Sequence, residues 1–138
     1  MSIKEIQEEI IEEFAMFDDW MQKYDYLIEL SKEIPMIAEE KRQDENLING
    51  CQSKVWLHAS QPQDKIVFKA DSDAIITKGI AALLIRVLSG QTSKDILEND
   101  MYFIDAIGLK EHLSMTRSNG LVSMIKQMKF YALAFQSK

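Results

Sequence analysis

The sequence predicts an α+β fold in a single domain, residues 1–138. Three observations predict it. Apolar residues recur at helical spacing through residues 3–28. Two β-like runs flank a proline turn within residues 55–70, which is a hairpin pattern. More helical stretches follow, with no internal repeat and no linker. Two strands alone are only marginally stable, so helices must cover one face of the pair.

The elements follow in order. Ser2-Ile3-Lys4-Glu5 has capping-box spacing, with Ser2 as N-cap and Glu5 reaching back. Ile3, Ile6, Ile10, Phe14 and Phe17 then mark one helical face. Asp18 or Asp19 restarts a helix with Trp20, Tyr24, Leu27 and Ile28 on one side, and Pro35 stops it or lies just beyond its end. Residues 36–49 are polar and read mostly as loop. Val55 to Ser60 is a strand with Val55, Leu57 and Ala59 on one face. Pro62 presets a turn, and Ile66 to Ala70 is the second strand. Asp71-Ser72-Asp73 offers N-cap oxygens for a helix from Ala74 to Leu88 that is apolar on most sides and therefore central. Gly79 inside it costs about 1 kcal/mol relative to alanine, and close approach of another backbone is the usual compensation. Gly90 ends that helix, and Thr92-Ser93-Lys94-Asp95 starts a short one. Residues 99–113 suit short helical turns. Ser114 or Thr116 opens a last helix with a buried stripe of Leu121, Met124, Ile125, Met128, Tyr131, Ala132 and Phe135.

Composition narrows the function. A chain of 138 residues buries about two-thirds of its unfolded surface and needs no disulfide or metal staple. It has one cysteine, so no internal disulfide forms. Residues 1–20 hold seven acidic side chains and one lysine, the opposite of a signal or transit peptide. No apolar run approaches the roughly 18 residues of a membrane span. The expectation is a cytoplasmic protein with no membrane partner. The formal charge of −6 is uneven: residues 1–45 carry 14 acidic and 5 basic side chains, and residues 46–138 carry 8 and 11. An acidic chain without a basic cluster is a poor nucleic-acid binder. The acidic half reads as a solvated helical face or as a docking face for a basic partner.

Few residues carry chemistry. Cys51 stands in Asn49-Gly50-Cys51-Gln52-Ser53-Lys54, behind a turn-forming pair and ahead of the first strand. A free cysteine is most often a small buried hydrophobe. Here Gly50 supplies backbone freedom, Gln52 and Ser53 are polar, and a loop on a rigid strand is a common place for a reacting group. Both readings stand on these residues alone. A structural zinc or iron–sulfur site needs more thiolate or imidazole ligands than one cysteine with His58 and His112. The glycines form neither a P-loop nor a dinucleotide fingerprint. A cysteine nucleophile with a distant histidine base is a second option, using Cys51 with His58 or His112. Arg117 lies near a helix start, where the dipole favours acids. It is either a solvated side chain or part of an anion site built with free N–H groups.

Gly50-Cys51-Gln52-Ser53-Lys54-Val55-Trp56 resembles the GCQSxVW signature of the SufE family, the sulfur acceptors of iron–sulfur cluster assembly. Trp20, Tyr24 and Leu27-Ile28-Glu29-Leu30 are similar to that family's second helix. Asp71-Ser72-Asp73-Ala74 with Lys78-Gly79 resembles its SDAxxxKG element. Leu109, His112-Leu113 and Arg117-Ser118-Asn119-Gly120-Leu121 resemble its L..HL....RSxGL ending. Lys54 departs from a frequent glutamine, and Met115 from a frequent proline.

The resemblance implies a SufE/IscU-like α+β fold, a small antiparallel sheet of about three strands covered by helices. It implies that Cys51 accepts sulfane sulfur from the persulfide of a pyridoxal-phosphate-dependent cysteine desulfurase, stimulates that enzyme, and passes the sulfur to an iron–sulfur cluster scaffold. The protein would then be a transfer partner without a cofactor of its own, not an enzyme. Gly50, Gln52 and Ser53 would support the thiol, and Asp73 and Arg117 would lie near it or near the partner surface. A cysteine hydrolase and a non-catalytic desulfurase adaptor are the competing readings.

Overall fold

The structure is a computed structural model, and it describes residues 1–48 and 53–136. It has three strands and six helices among the described residues. Helix α1 spans Ile3–Ala15 and has a complete capping box: Ser2 Oγ accepts from Glu5 N, and Glu5 accepts from Ser2 N. Its inner face buries Ile3, Gln7, Ile10 and Phe14. Burying Phe14 alone contributes about 2–3 kcal/mol. Asp19, the second of the two expected starts, caps helix α2 (Trp20–Ser31) through Gln22 N.

Strand β1 (Val55–Ser60) and strand β2 (Lys65–Ser72) form the expected hairpin, antiparallel, with Val55 opposite Ser72 and Ser60 opposite Val67. Helix α3 (Ile75–Leu88) follows. Its N-cap position is Ala74, and no side chain caps it there. The expected Asp71-Ser72-Asp73 cap is therefore replaced by another arrangement: Asp71 and Ser72 extend β2, and Asp73 turns back onto Lys54. Gly90 has φ +82 and donates to Ile66 O at 2.7 Å. That turn brings in strand β3 (Gln91–Thr92), which pairs with the start of β2 and gives the sheet order β1-β2-β3. Helices α4 (Ser93–Glu98), α5 (Phe103–Ala106) and α6 (Met115–Gln136) complete the chain. Thr92 caps α4 through Asp95 N.

The core lies between one sheet face and the helices. Val55, Leu57, Ala59, Ile66, Phe68 and Ala70 meet the apolar faces of α3 and α6 there. Gly79 sits where α3 crosses α2. A Cβ on it would lie 2.3 Å from the Leu27 carbonyl oxygen, so the two backbones approach as the sequence anticipated.

Residues 36–48 cross the opposite sheet face. They start beside β2, where Met36 bridges Ala70, and end beside β1, where Leu47 bridges Trp56. Two 3-10 turns, Glu39–Lys41 and Asp44–Asn46, shape this strap. Among the described residues no helix is long and apolar enough to cross a membrane.

Candidate functional site

Gly50, Cys51 and Gln52 lie outside the described residues, so the site is built from the chain on either side. Two clamps hold those sides. On the near side, Ile48 N donates to Val55 O at 2.9 Å, beside the Leu47–Trp56 bridge. Ile48 is buried and lines a small apolar cavity with Val55, Leu57, Leu84, Met124 and Met128. On the far side, Lys54 N donates to Asp73 Oδ1 at 3.1 Å, and Asp73 N donates to Lys54 O at 3.2 Å. Ser72 Oγ donates to the same Lys54 oxygen at 2.9 Å and accepts from Ala74 N at 3.2 Å. Lys54 is thus bonded through both backbone groups to the β2–α3 junction. Ser53, half-buried, is the last described residue before this anchor.

A charged cluster braces the clamp from the outer face. Asp71 is buried, and its carboxylate holds Arg42 from the strap and Lys78 from α3, the latter at 3.0 Å. Asp71 Oδ1 also accepts from Ser72 N at 2.8 Å. Arg42 lies 5.8 Å from the centre of the Trp56 ring, within cation–π range. One carboxylate therefore ties the strap, β2 and α3 together. Sequence reading missed Asp71 as a hub, although its partner Lys78 stood in a quoted motif. Arg42 carried no signal, since it sits in a run of charges that reads as solvated loop.

Arg117 is exposed in the first turn of α6, with its backbone N donating to Ser114 Oγ at 3.3 Å. Ser114 is thus the residue that opens the last helix. Other residues of α6 reach the sheet. Tyr131 donates to Leu57 O, and Met124, two turns earlier, lines the cavity with Ile48 and Val55. Arg117 and Asp73 share no hydrogen bond or ion pair among the described residues. His58 lies on the outer face of β1, opposite Lys69. Burial lowers its pKa, and nearby Lys41 and Lys69 lower it further. His112 stacks on Trp20 at 3.9 Å between ring centres, with Nδ1 3.1 Å from Gly108 O. Its ring is occupied in holding the 108–113 turn against α2. Among the described residues no group of three His, Cys, Asp or Glu side chains is placed to hold a metal.

The architecture is that of an α+β protein with a small antiparallel sheet, in which the residues before and after the lone cysteine in sequence, Ile48 and Lys54, are each clamped by backbone bonds. The family model described as "SufE: Fe-S metabolism associated domain" matches residues 8–132. The chain belongs to the SufE family, and so to the proteins associated with iron–sulfur metabolism. An uncharacterized SufE-like protein of Rhizobium etli is 45% identical over 127 residues, covering 88% of this chain and 86% of that one. SufE-like protein 1, chloroplastic/mitochondrial, of Arabidopsis thaliana is 36% identical over 132 residues, covering 95% of this chain and 36% of its own length. The solution structure of a hypothetical protein from Thermus thermophilus superposes with a TM-score of 0.80 at 19% identity, over 96% of this chain and 97% of that one. That likeness speaks for the fold.

Proposed function

We propose that this protein is a sulfur acceptor and carrier of iron–sulfur cluster assembly, acting in the cytoplasm. Cys51 takes sulfur from the persulfide of a pyridoxal-phosphate-dependent cysteine desulfurase, and the pyridoxal phosphate belongs to that partner. The Cys51 thiolate attacks the outer sulfur of the partner's persulfide. A new S–S bond forms on Cys51, the old one breaks, and the partner's cysteine leaves as a thiolate. Clearing that persulfide frees the desulfurase for another turnover, which is the stimulation. The sulfur then passes to an iron–sulfur scaffold by a second exchange of the same kind.

The observation that carries this reading is the double clamp around the chain's lone cysteine, Ile48 to Val55 on one side and Lys54 to Asp73 on the other. A carrier must present one short segment to two partners without unfolding its sheet, and the clamps hold Ile48 and Lys54 to the sheet and to the β2–α3 junction. A lone thiol suits a carrier as well. A second cysteine in the chain could attack the persulfide and release sulfide, and this sequence has none. Arg117, exposed in the first turn of α6, is the cation proposed to attract the thiolate or the persulfide anion.

Intact mass measurement after incubation with a cysteine desulfurase and cysteine tests the reading. Added sulfur, removed by reductant and absent in Cys51→Ser, is the expected result. Stimulation of the desulfurase by Cys51→Ser as strong as by the natural chain would turn the reading into an adaptor. Loss of function on replacing His58 and His112, with no sulfur on Cys51, would favour a hydrolase.

A further inference from the structure

The groove between the end of α1 and the outward face of α2 belongs to neither clamp. Its volume is about 630 Å³, and it is shallow and open. Phe17, Tyr26 and Ile28 form its apolar wall, with Met16 at one end. Met16, at the end of α1, is 80% exposed, and Met21, in the first turn of α2, is 73% exposed. Exposed methionines are adaptable contact residues. Asp18, Asp25 and Glu29 rim the groove, and among the described residues no lysine or arginine lines it.

The groove is preformed. Phe17 packs against Phe14 at 6.2 Å and Tyr26 at 5.2 Å between ring centres. Tyr26 donates its hydroxyl to Glu13, which also binds Arg86 of α3. Arg86 binds Glu9 as well, at 2.6 Å, so the acids at the back of this wall are already neutralised. The acids at the front are not. Among the described residues no cation forms an ion pair with Asp18 or Asp25. Among the described residues Glu29 pairs only with Lys32, and both side chains are about two-thirds exposed, so that pair exchanges readily with another cation.

We propose that this groove docks a segment of a partner protein that carries one large apolar side chain flanked by lysine or arginine. The apolar side chain fits between Phe17, Tyr26 and Ile28, and the flanking cations meet Asp18 and Asp25. Charge decides among occupants. A second copy would bring its own acidic half against this one, since residues 1–45 carry 14 acidic and 5 basic side chains. Anionic lipid and nucleic acid are repelled by the same rim. The site is independent of the sulfur reading, because it uses the face of α2 turned away from Leu27 and α3.

Titration of the labelled full chain, followed by backbone amide shifts, tests this. The probe is a synthetic peptide of leucine and lysine at helical spacing, and the control is the same peptide with glutamate for lysine. The expected result is saturable shifts concentrated at residues 16–29 with the lysine peptide and none with the glutamate peptide. Asp18→Lys with Asp25→Lys should weaken binding about ten-fold or more, and the paired Asp→Asn variants by an intermediate factor. Both positions are exposed, so unfolding midpoints should stay near that of the natural chain. Shifts scattered over the surface, equal binding of the glutamate peptide, or unchanged binding by both variants would each overturn the proposal. Concentration-dependent shifts at residues 16–29 without peptide would assign the groove to a second copy and overturn it too.

Discussion

Gly79→Ala tests the packing that sets α2 against α3. An alanine Cβ would lie 2.3 Å from the Leu27 carbonyl oxygen and 2.9 Å from its carbon, whereas ordinary contact begins near 3.4 Å. The shortfall is about 1.1 Å against backbone, which cannot swing away as a side-chain tip can. Overpacking of this kind costs about 3 kcal/mol, the upper end of its usual range. Alanine returns about 1 kcal/mol through its better helix propensity. The net loss is about 2 kcal/mol. For a chain of this size each kcal/mol moves the midpoint about 3–4 °C, so the thermal midpoint should fall by about 6–8 °C. Circular dichroism melting measures this, and urea unfolding should show a lower midpoint at constant slope. Gly90→Ala is the internal comparison. It faces open space and suffers only from its φ of +82, a strain of about 1 kcal/mol. A Gly79→Ala protein as stable as the natural chain, or more so, would refute the close-approach argument.

Other predictions follow from individual contacts. Arg86→Met should destabilise the fold by about 1–2 kcal/mol at neutral pH, since its guanidinium joins Glu9 and Glu13 of α1 to α3. Hydrogen bonding to Arg86 is the main cause holding the Glu13 carboxyl below its usual pKa. Its contribution is present above the ordinary carboxylate pKa and is lost as pH falls. Denaturation at several pH values should therefore show the variant's deficit shrinking in acid, and a deficit that grows there would count against this. His58 has its pKa lowered by burial, so the unfolded chain takes up the proton first as pH falls through the ordinary histidine pKa. Stability supplied by the neutral ring should decline over that window, and His58→Gln should flatten the decline; equal slopes would show that His58 does not contribute. Asp73→Ala removes the carboxylate that accepts from Lys54 N, at a global stability change below about 1 kcal/mol for an exposed group. Lys54 amide exchange should accelerate and sulfur loading of Cys51 should slow, with Asp73→Asn restoring both through its remaining acceptor oxygen. A variant with protected Lys54 and normal loading would remove Asp73 from the site.

The thiol motif and the Asp71–Ala74 and Arg117–Leu121 blocks were legible as a set because each resembles a SufE-family motif. Ser53 and Arg117 were named from their own neighbours as well, Asp73 only from the resemblance, and the structure then supplied the bonds of Asp73 to Lys54. Arg42 and Asp71 were not legible as partners. They lie 29 positions apart, and a charge in a polar stretch looks the same whether it ends in water or against a buried carboxylate. Gln7 is the same case. It reads as a polar helix residue, yet it is fully buried, because Asp100 O and Phe103 N satisfy its amide from across the chain.

Local chemistry explains what the sequence determined by itself. The capping box at Ser2, the hairpin around Pro62, the helical stripes and the turn at Gly90 follow from backbone preferences and apolar spacing, which act over a few residues. Tertiary structure alone decided three matters: that Asp71-Ser72-Asp73 would leave α3 uncapped and clamp Lys54, that β3 would join β2, and that residues 36–48 would cross the outer sheet face. Each depends on pairing groups far apart in the chain. The energies that choose between a helix cap and a cross-chain clamp are about 1 kcal/mol each. At that scale the choice falls to whichever partner packing brings within reach.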